Sequence, residues 1–176
     1  TLLSIAARMG RLNVMELLVR CGHRVDGRNE DGSTALHIAA RFDRGKVIDF
    51  LLMHGADINA VDIRGFNAFQ YSVSGVGCIR AMNRFLDAGV DINRQSIDVC
   101  ASIFYSCFSY GISNTLLLVI RGADIHVRDA TGCTLLWYVC DKMFYEKASV
   151  FLAFGVDVNA TNMDGDRVIH SLLSEN

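Results

Sequence analysis

A short stretch that returns every 33 or 34 residues constrains the fold of this chain more than any other feature. The copies read "GHRVD", "GADIN", "GVDIN", "GADIH" and "GVDVN". Each copy begins with a glycine, at Gly22, Gly55, Gly89, Gly122 and Gly155. A fixed period of about 20–50 residues is the signature of a repeat protein, in which each unit buries its apolar face against its neighbours.

Each period contains the pattern of two helices. One apolar stretch opens the unit, as in "TALHIAA" at 34–40, and a second apolar stripe follows. In the stripe Val47, Ile48, Leu51 and Leu52 have the spacing of one helix face. The recurring glycine suits the left-handed position that ends a helix, and the polar residues after it predict a hairpin-like loop. The sequence therefore predicts an all-α repeat of stacked helix-turn-helix units with hairpin loops, a solenoid.

The period also predicts the extent of each unit. We expect five full repeats and a partial sixth in a single domain over residues 1–176, with approximate bounds 1–33, 34–66, 67–100, 101–133, 134–166 and 167–176. The chain opens on Thr1 rather than on a methionine, so we expect a fragment of a longer chain. The third repeat carries an extra residue near "SGVGC". The fourth has Val99 where a turn glycine belongs, and we expect both to be irregular.

Composition limits the classes of function. Hydrophobic residues make up 51% of the chain and charged residues 20%, which argues against disorder. The longest apolar run, "TLLLVI" at 115–120, is too short for a membrane helix, so we expect no membrane insertion. The six cysteines include no C-x-x-C pair and indicate free thiols in a reducing compartment, so we expect an intracellular protein, cytoplasmic or nuclear. A net charge of −2 gives no general attraction to nucleic acid, and we expect no direct binding to it.

Catalytic patterns are absent from the sequence. It has no G-x-x-x-x-G-K-[ST], G-x-S-x-G or H-E-x-x-H string. The aspartates of the recurring stretch return in unit after unit, which is typical of a turn rather than of a catalytic pair. They are Asp57, Asp91, Asp124 and Asp157. We therefore expect no enzyme, no cofactor and no metal site.

The stretch "DGSTALHIAARFDRGKVIDFLLMHGADINA" at 31–60 resembles the ankyrin repeat, whose pattern is roughly D-x-x-G-x-T-P-L-H-x-A-A, a helix, and L-L-x-x-G-A-D-V-N. The tetratricopeptide pattern, which has a similar length, needs W-x-x-L-G and a late proline, and this chain has no proline. The proline after the threonine of the ankyrin pattern is missing in every unit, and its loss should cost some stability. The resemblance covers essentially the whole chain. It implies protein binding without catalysis, on a concave face lined by hairpin tips and first helices.

The resemblance also assigns structural roles. His37 and His170 stand at the framework histidine, which would hydrogen-bond neighbouring loops, and His126 would do similar work in place of a loop asparagine. Cys107 and Cys140 replace small alanines and should be buried. These side chains are therefore expected to be structural rather than catalytic.

Carried onto this chain, the positions that the repeat framework leaves free are the candidate partner-binding residues. They are Arg28, Glu30, Asp31, Arg41, Phe42, Val61, Ile63, Arg64, Phe66, Gln95, Ile97, Phe108 and Arg128. The apolar ones, with Phe66 as the expected exposed anchor, would form an interface rimmed by charge. Scattered exposed hydrophobic residues are common, however, and these side chains would also fit as gap fillers beside the irregular fourth unit.

Two functions remain open from the sequence. The first is a protein-protein interaction module, a scaffold that is monomeric on its own and binds another protein or peptide on the concave face. The alternative is a stoichiometric inhibitor or regulatory subunit of an enzyme or a transcription factor.

Overall fold

The computed structural model describes residues 1–75, 77–96, 101–109 and 111–169. Within these ranges ten helices follow one another as five pairs, as the period predicts. The first helices of the pairs are α1 (Leu2–Met9), α3 (Ala35–Arg41), α5 (Ala68–Ser74), α7 (Ser102–Phe108) and α9 (Leu135–Asp141). The second helices are α2 (Leu12–Arg20), α4 (Gly45–Met53), α6 (Ile79–Asp87), α8 (Ser113–Ile120) and α10 (Tyr145–Ala153).

The helices lie in two compact parts, each with its own layers. The N-terminal part (Thr1–Asp91) holds α1 to α6. Its first helices α1, α3 and α5 pack side by side, and α2, α4 and α6 form a second layer against them. The C-terminal part (Ile92–Asn176) holds α7 to α10, in which α7 packs on α8 and α9, and α9 on α10. The extent of a single domain over 1–176 and membership of a longer chain stay predictions.

The predicted helix ends are confirmed. In the third repeat Asn67 Oδ1 accepts the Gln70 N–H at 3.0 Å, and Gln70 Oε1 accepts the Asn67 N–H at 3.0 Å, a reciprocal cap at the start of α5. After the second helices, the five recurring glycines have φ values of 84°, 81°, 82°, 87° and 88°. Side chains other than glycine rarely adopt this left-handed conformation, which explains why the residue returns in every repeat.

Within each part, the core lies between the two helices of a pair and between neighbouring pairs. Ala39 and Ala40 are fully buried, and their small side chains let α3 approach its neighbours closely. Of the predicted apolar stripe of α4, Val47, Ile48 and Leu51 are buried, whereas Leu52 is half-buried. The helical period therefore predicts the core face of this repeat.

The loops between the pairs are hairpins, as predicted. In the loop before α5 the Asp62 N–H donates to the Phe66 carbonyl at 2.9 Å, and Val61 pairs with Asn67. Equivalent bridges join residues at the three following repeat junctions: Gln95 with Ala101, Arg128 with Thr134, and Thr161 with Arg167.

The recurring aspartates act as turn residues. Asp57 Oδ1 accepts the Asn59 N–H at 2.9 Å, and Asp157 Oδ1 accepts the Asn159 N–H at 2.9 Å. Asp124 Oδ1 likewise accepts the backbone N–H of His126 at 2.8 Å.

The extra residue of the third repeat lies in the turn between its helices. Ser74 and Ile79, which border this turn, are one residue further apart than Arg41 and Gly45 in the second repeat. The predictions for Val99, His170 and Ile97 fall outside the described residues.

Candidate partner-binding surface

Two neighbouring hairpins of the N-terminal part are tied together by hydrogen bonds. The Ile63 N–H donates to the Asp31 carbonyl at 3.1 Å. Arg28 Nη1 donates to the carbonyl of Gly32 in its own hairpin at 2.9 Å and to that of Val61 in the next hairpin at 2.6 Å. The structure therefore brings together several predicted site residues, which we call the tip surface: Arg28, Glu30, Asp31, Val61 and Ile63.

Most of the tip surface is accessible to a partner. The side chain of Ile63 is 70% exposed, and Arg28, Glu30 and Asp31 are exposed, while Val61 is half-buried. Hydrogen bonds from the hydroxyl and the N–H of Ser33, at 2.6 and 3.0 Å, lower the pKa of the Asp31 carboxyl. The surface thus presents an apolar side chain beside charges of both signs.

A groove runs between the first hairpin and the first helices. It has a volume of about 550 Å³ and is lined by Arg28, Glu30 and Asp31 from the hairpin and by Ile38 from α3, among others. A smaller groove of about 210 Å³ shares Ile38 and is lined by Ile5 and other residues of α1. Three of the predicted site residues therefore line one concave region with the first helices.

His37 connects α3 to the next hairpin, as the framework role predicts. Its Nδ1 accepts the Thr34 N–H at 3.1 Å, and its Nε2 donates to the Phe66 carbonyl of the next hairpin at 3.0 Å. Because Nδ1 accepts a hydrogen bond and Nε2 donates one, the ring is the neutral Nε2–H tautomer. Burial lowers the pKa of His37, which keeps it in this form.

The expectation that Phe66 is an exposed anchor is wrong. Its side chain is only 8% exposed, and the Arg64 guanidinium lies 4.8 Å from the ring centroid. The Phe66 N–H donates to Asp62 Oδ1 at 2.9 Å, so the closed hairpin turns the ring inward beneath Arg64. Phe66 is core packing, and Arg64, exposed above it, covers the ring.

Arg41 and Phe42 lie apart from the tip surface. Both are exposed, but they stand at the C-terminal end of α3, whereas the hairpin precedes its N-terminal end. The seven residues of α3 place these side chains about 10 Å along the helix from the hairpin. The structure therefore places these two candidates at the far end of the first helix.

The candidates of the C-terminal part are distributed differently. Arg128 repeats the contacts of Arg28, since its Nη1 donates to the carbonyls of Gly132 at 2.7 Å and Thr161 at 2.6 Å. Phe108 is exposed, and its ring packs edge-on against Tyr138 with centroids 5.3 Å apart. Gln95 is exposed in a hairpin.

Tyrosines that bind the hairpins were missed by the sequence reasoning. Tyr71 donates its hydroxyl to Asp62 Oδ2 at 2.9 Å, and Tyr138 donates to Asp129. Their recurrence at one position of the repeat, after 34 and 33 residues with Tyr105 between them, is the signal that could have revealed them. The second repeat has Ile38 at this position, so α3 lacks the equivalent tyrosine hydroxyl beside the larger groove.

The two cysteines that replace alanines in the repeat differ in burial. Cys107 is fully buried, which raises the pKa of its thiol to about 12, while Cys140 is half-buried rather than buried as predicted. Across the described ranges, no three His, Cys, Asp or Glu side chains are grouped in a way that could hold a metal ion. None of the helices described has the length and apolar character needed to cross a bilayer.

Comparison with known proteins agrees with this architecture. The family model described as "Ankyrin repeats (3 copies)" matches residues 3–96. The chain is 28% identical over 174 residues to Alpha-latroinsectotoxin-Lt1a of Latrodectus tredecimguttatus, covering 87% of this chain and 12% of that protein. It is 25% identical over 171 residues to Nuclear factor NF-kappa-B p105 subunit of Gallus gallus, covering 93% and 17%.

A shorter relative matches about half of the chain. Protein phosphatase 1 regulatory subunit 27 of Mus musculus is 33% identical over 91 residues, covering 51% of this chain and 59% of that protein. The chain thus spans less than two thirds of the length of each of these three relatives. The family match extends over more than half of the chain, and the paired helices and hairpins agree with it, so the chain belongs to the ankyrin-repeat family, whose repeats are protein-protein interaction modules.

Proposed function

We propose that this protein binds a partner protein or peptide in the groove between its first hairpin and its first helices. The observation that carries the proposal is the groove of about 550 Å³, where the exposed Arg28, Glu30 and Asp31 face Ile38 of α3. Concave sites of this size that combine apolar and polar side chains are typical binding sites.

The tip surface indicates the chemistry of the partner. Ile63 supplies an exposed apolar contact, and Arg28, Glu30 and Asp31 supply charges of both signs around it. A segment with an apolar side chain flanked by polar residues complements this arrangement, with the apolar contact at the centre and the charges at the rim. The hydrogen bonds between neighbouring hairpins hold the surface in place before binding, which reduces the entropy lost on association.

The alternative function, a regulatory subunit or stoichiometric inhibitor, uses the same surface. It is supported by the name of one relative, a regulatory subunit of protein phosphatase 1 that is 33% identical over 91 residues. In this case the bound partner is itself an enzyme or a transcription factor, and binding changes its activity.

We infer that the protein acts by binding alone, as an intracellular monomer, without catalysis and without direct contact to nucleic acid. The mixed charges of the tip surface support the last point, since a phosphate backbone would require a basic stripe.

The test compares three alanine variants by affinity capture, followed by titration with the captured partner. Ile63→Ala should leave the unfolding midpoint unchanged and weaken binding by about 1 kcal/mol or more, as expected for an interface anchor. Leu51→Ala, in the buried face of α4, should cost about 2–5 kcal/mol of folding stability. Met53→Ala is the matched control, because Met53 is 84% exposed at the end of α4 and does not line the groove.

The outcomes separate the fold from the binding site. Full affinity of Ile63→Ala together with weakened binding of Met53→Ala would place the partner on the second helices and contradict the proposal. Turnover of the partner, rather than a stable complex, would contradict binding without catalysis.

A further inference from the structure

Another groove of the N-terminal part is lined by positive charge. It lies where the second helices begin and has a volume of about 380 Å³. Four cations line it, together with one carboxylate, that of Asp43, in a chain whose net charge is −2. We call this region the basic groove; its cations are Arg44, Lys46, Arg80 and Arg84.

Within the groove, Asp43 shows how a carboxylate is held at the start of a second helix. Asp43 Oδ1 accepts the Ala81 N–H of α6 at 2.8 Å, and its Oδ2 accepts Arg80 Nε at 2.9 Å. Asp43 belongs to the turn of one repeat, and α6 belongs to the next. A carboxylate therefore fits at the junction of two repeats and is bound there by an arginine and a backbone amide.

The preceding junction shares the left-handed turn residue but lacks the carboxylate, and the amide equivalent to that of Ala81, the Val47 N–H, donates to the Arg44 carbonyl at 2.8 Å. Gly10 stands one repeat before Asp43 and shares its left-handed conformation, with φ values of 72° and 52°. Both residues donate their N–H three residues back along the first helix, Gly10 to Ala7 and Asp43 to Ala40. Lys46 is the second residue of α4, as Arg80 is of α6. The first repeat therefore presents a glycine where the second presents a carboxylate.

A side chain at Gly10 would adjoin a cation, that of Arg44, whose Nε donates to the Arg8 carbonyl at 2.9 Å. A Cβ atom at Gly10 would meet the Arg44 side chain first, at an ordinary contact distance of 3.6 Å. Arg80 and Arg84 are bonded to Asp43 and Asp49, at 2.9 and 2.7 Å. Among the described residues, by contrast, no carboxylate lies within ion-pair distance of Arg44 or Lys46.

We propose that the basic groove binds an acidic peptide segment of a partner, with a carboxylate seated beside Arg44 and Lys46 as Asp43 is seated beside Arg80. Two cations that carry no ion pair suit one or two carboxylates of a short segment, whereas a nucleic-acid backbone needs a longer basic stripe. The basic groove is separate from the tip surface. The two proposals can therefore fail independently.

The test measures the binding of a fluorescently labelled hexaglutamate peptide by anisotropy at low ionic strength. Gly10→Asp should place a carboxylate of the chain itself in the groove and reduce peptide binding about tenfold, because the site is then occupied and its charge neutralised. Gly10→Asn is the matched control, because asparagine tolerates the same left-handed conformation and has nearly the same shape without the charge. It should bind the peptide nearly as wild type does.

A second pair of variants tests the cations. Arg44→Gln with Lys46→Gln should weaken binding about tenfold, whereas Arg20→Gln with Arg24→Gln should leave it nearly unchanged. Arg20 and Arg24 are exposed and lie at the far end of α2 from the groove, so the second pair removes the same charge elsewhere. Circular dichroism of every variant verifies the fold.

Three results would overturn the proposal. The first is peptide affinity that is the same in Gly10→Asp and Gly10→Asn. The second is an equal loss of affinity in both pairs of charge variants, which would indicate nonspecific attraction. The third is tighter binding of oligothymidylate than of hexaglutamate through Arg44 and Lys46, which would assign the groove to nucleic acid.

Discussion

His37 offers a sharp test of how a hairpin is fixed to the helix of the preceding repeat. The ring is buried and accepts the Thr34 N–H at 3.1 Å, bonds the Thr34 hydroxyl at 2.9 Å and donates to the Phe66 carbonyl at 3.0 Å. His37→Ala removes the acceptor of the Thr34 N–H, whereas the Phe66 carbonyl keeps the Asp62 N–H as a donor. Since a buried polar group without a partner costs about 1–3 kcal/mol and the lost bond to Phe66 about 1 kcal/mol more, we expect the free energy of unfolding to fall by about 2–4 kcal/mol. Urea denaturation followed by circular dichroism measures this loss.

The same residue predicts a dependence of stability on pH. Burial lowers the pKa of His37 below its ordinary value of 6.5, so the unfolded chain binds a proton more readily than the folded one. The stability that neutral His37 contributes is therefore fully present above pH 6.5 and is lost as the pH falls below this value. A single proton changes the free energy of unfolding by at most about 1.4 kcal/mol per pH unit.

The third repeat suggests the control variant. Gln70 stands at the position of His37, and its Oε1 accepts the Asn67 N–H at 3.0 Å, as His37 Nδ1 accepts that of Thr34. His37→Gln therefore keeps the cap and removes the titrating group. The free energy of unfolding of wild type minus that of His37→Gln should be constant above pH 6.5 and should decrease below it. A constant difference down to about pH 5 would refute the reasoning, because His37 would then titrate alike in both states.

Three further variants test other contacts by urea denaturation. Tyr71→Phe should lower the free energy of unfolding by about 2 kcal/mol, because the Tyr71 hydroxyl donates to the buried Asp62 carboxylate. Burial raises the pKa of Tyr71 to about 12, so an ultraviolet titration of this variant should lack the tyrosine that ionises there. Ala35→Pro should stabilise the fold by about 0.4–1 kcal/mol, because this first helical residue follows an extended residue and the change restricts the unfolded chain. Lys147→Met should cost about 1–3 kcal/mol, because the buried ammonium donates to the carbonyls of Ser106, at 2.6 Å, and Ser109.

Exposed residues of the same types serve as controls. Tyr145→Phe and Lys142→Met should each change the free energy of unfolding by less than about 0.5 kcal/mol, since both side chains are exposed. Losses as large as those at Tyr71 and Lys147 would show that the buried hydrogen bonds are not the cause. A lower unfolding midpoint of Ala35→Pro would mean that α3 does not begin at this residue.

The repeats themselves could be predicted because the sequence contains each of their features several times. Thr34 before a helix, Gly55 after the next and Asp57 in the following turn are each repeated in other units, so a local pattern becomes a period. The observed helix starts, the left-handed glycines and the aspartate turns follow from it.

Features of a single repeat could not be predicted in this way. Phe66 looks like a free tip residue in the sequence, and its burial depends on the closure of the hairpin and on Arg64. Lys147 lies among apolar residues in a second helix and is only 2% exposed. Its acceptors lie 41 and 38 residues earlier, at positions that no spacing rule identifies. The same holds for the basic groove, since it is formed by side chains from three repeats.

The hydrogen bonds between repeats also limit how the chain folds. The bond of His37 to Phe66 spans 29 residues, that of Arg28 to Val61 spans 33, and that of Arg80 to Asp43 spans 37. Each connects a repeat only to its immediate neighbour, so loop closure need not bring distant segments together. We expect folding to nucleate on any adjacent pair of repeats and to spread from there, with the outermost repeats exchanging their amide hydrogens first.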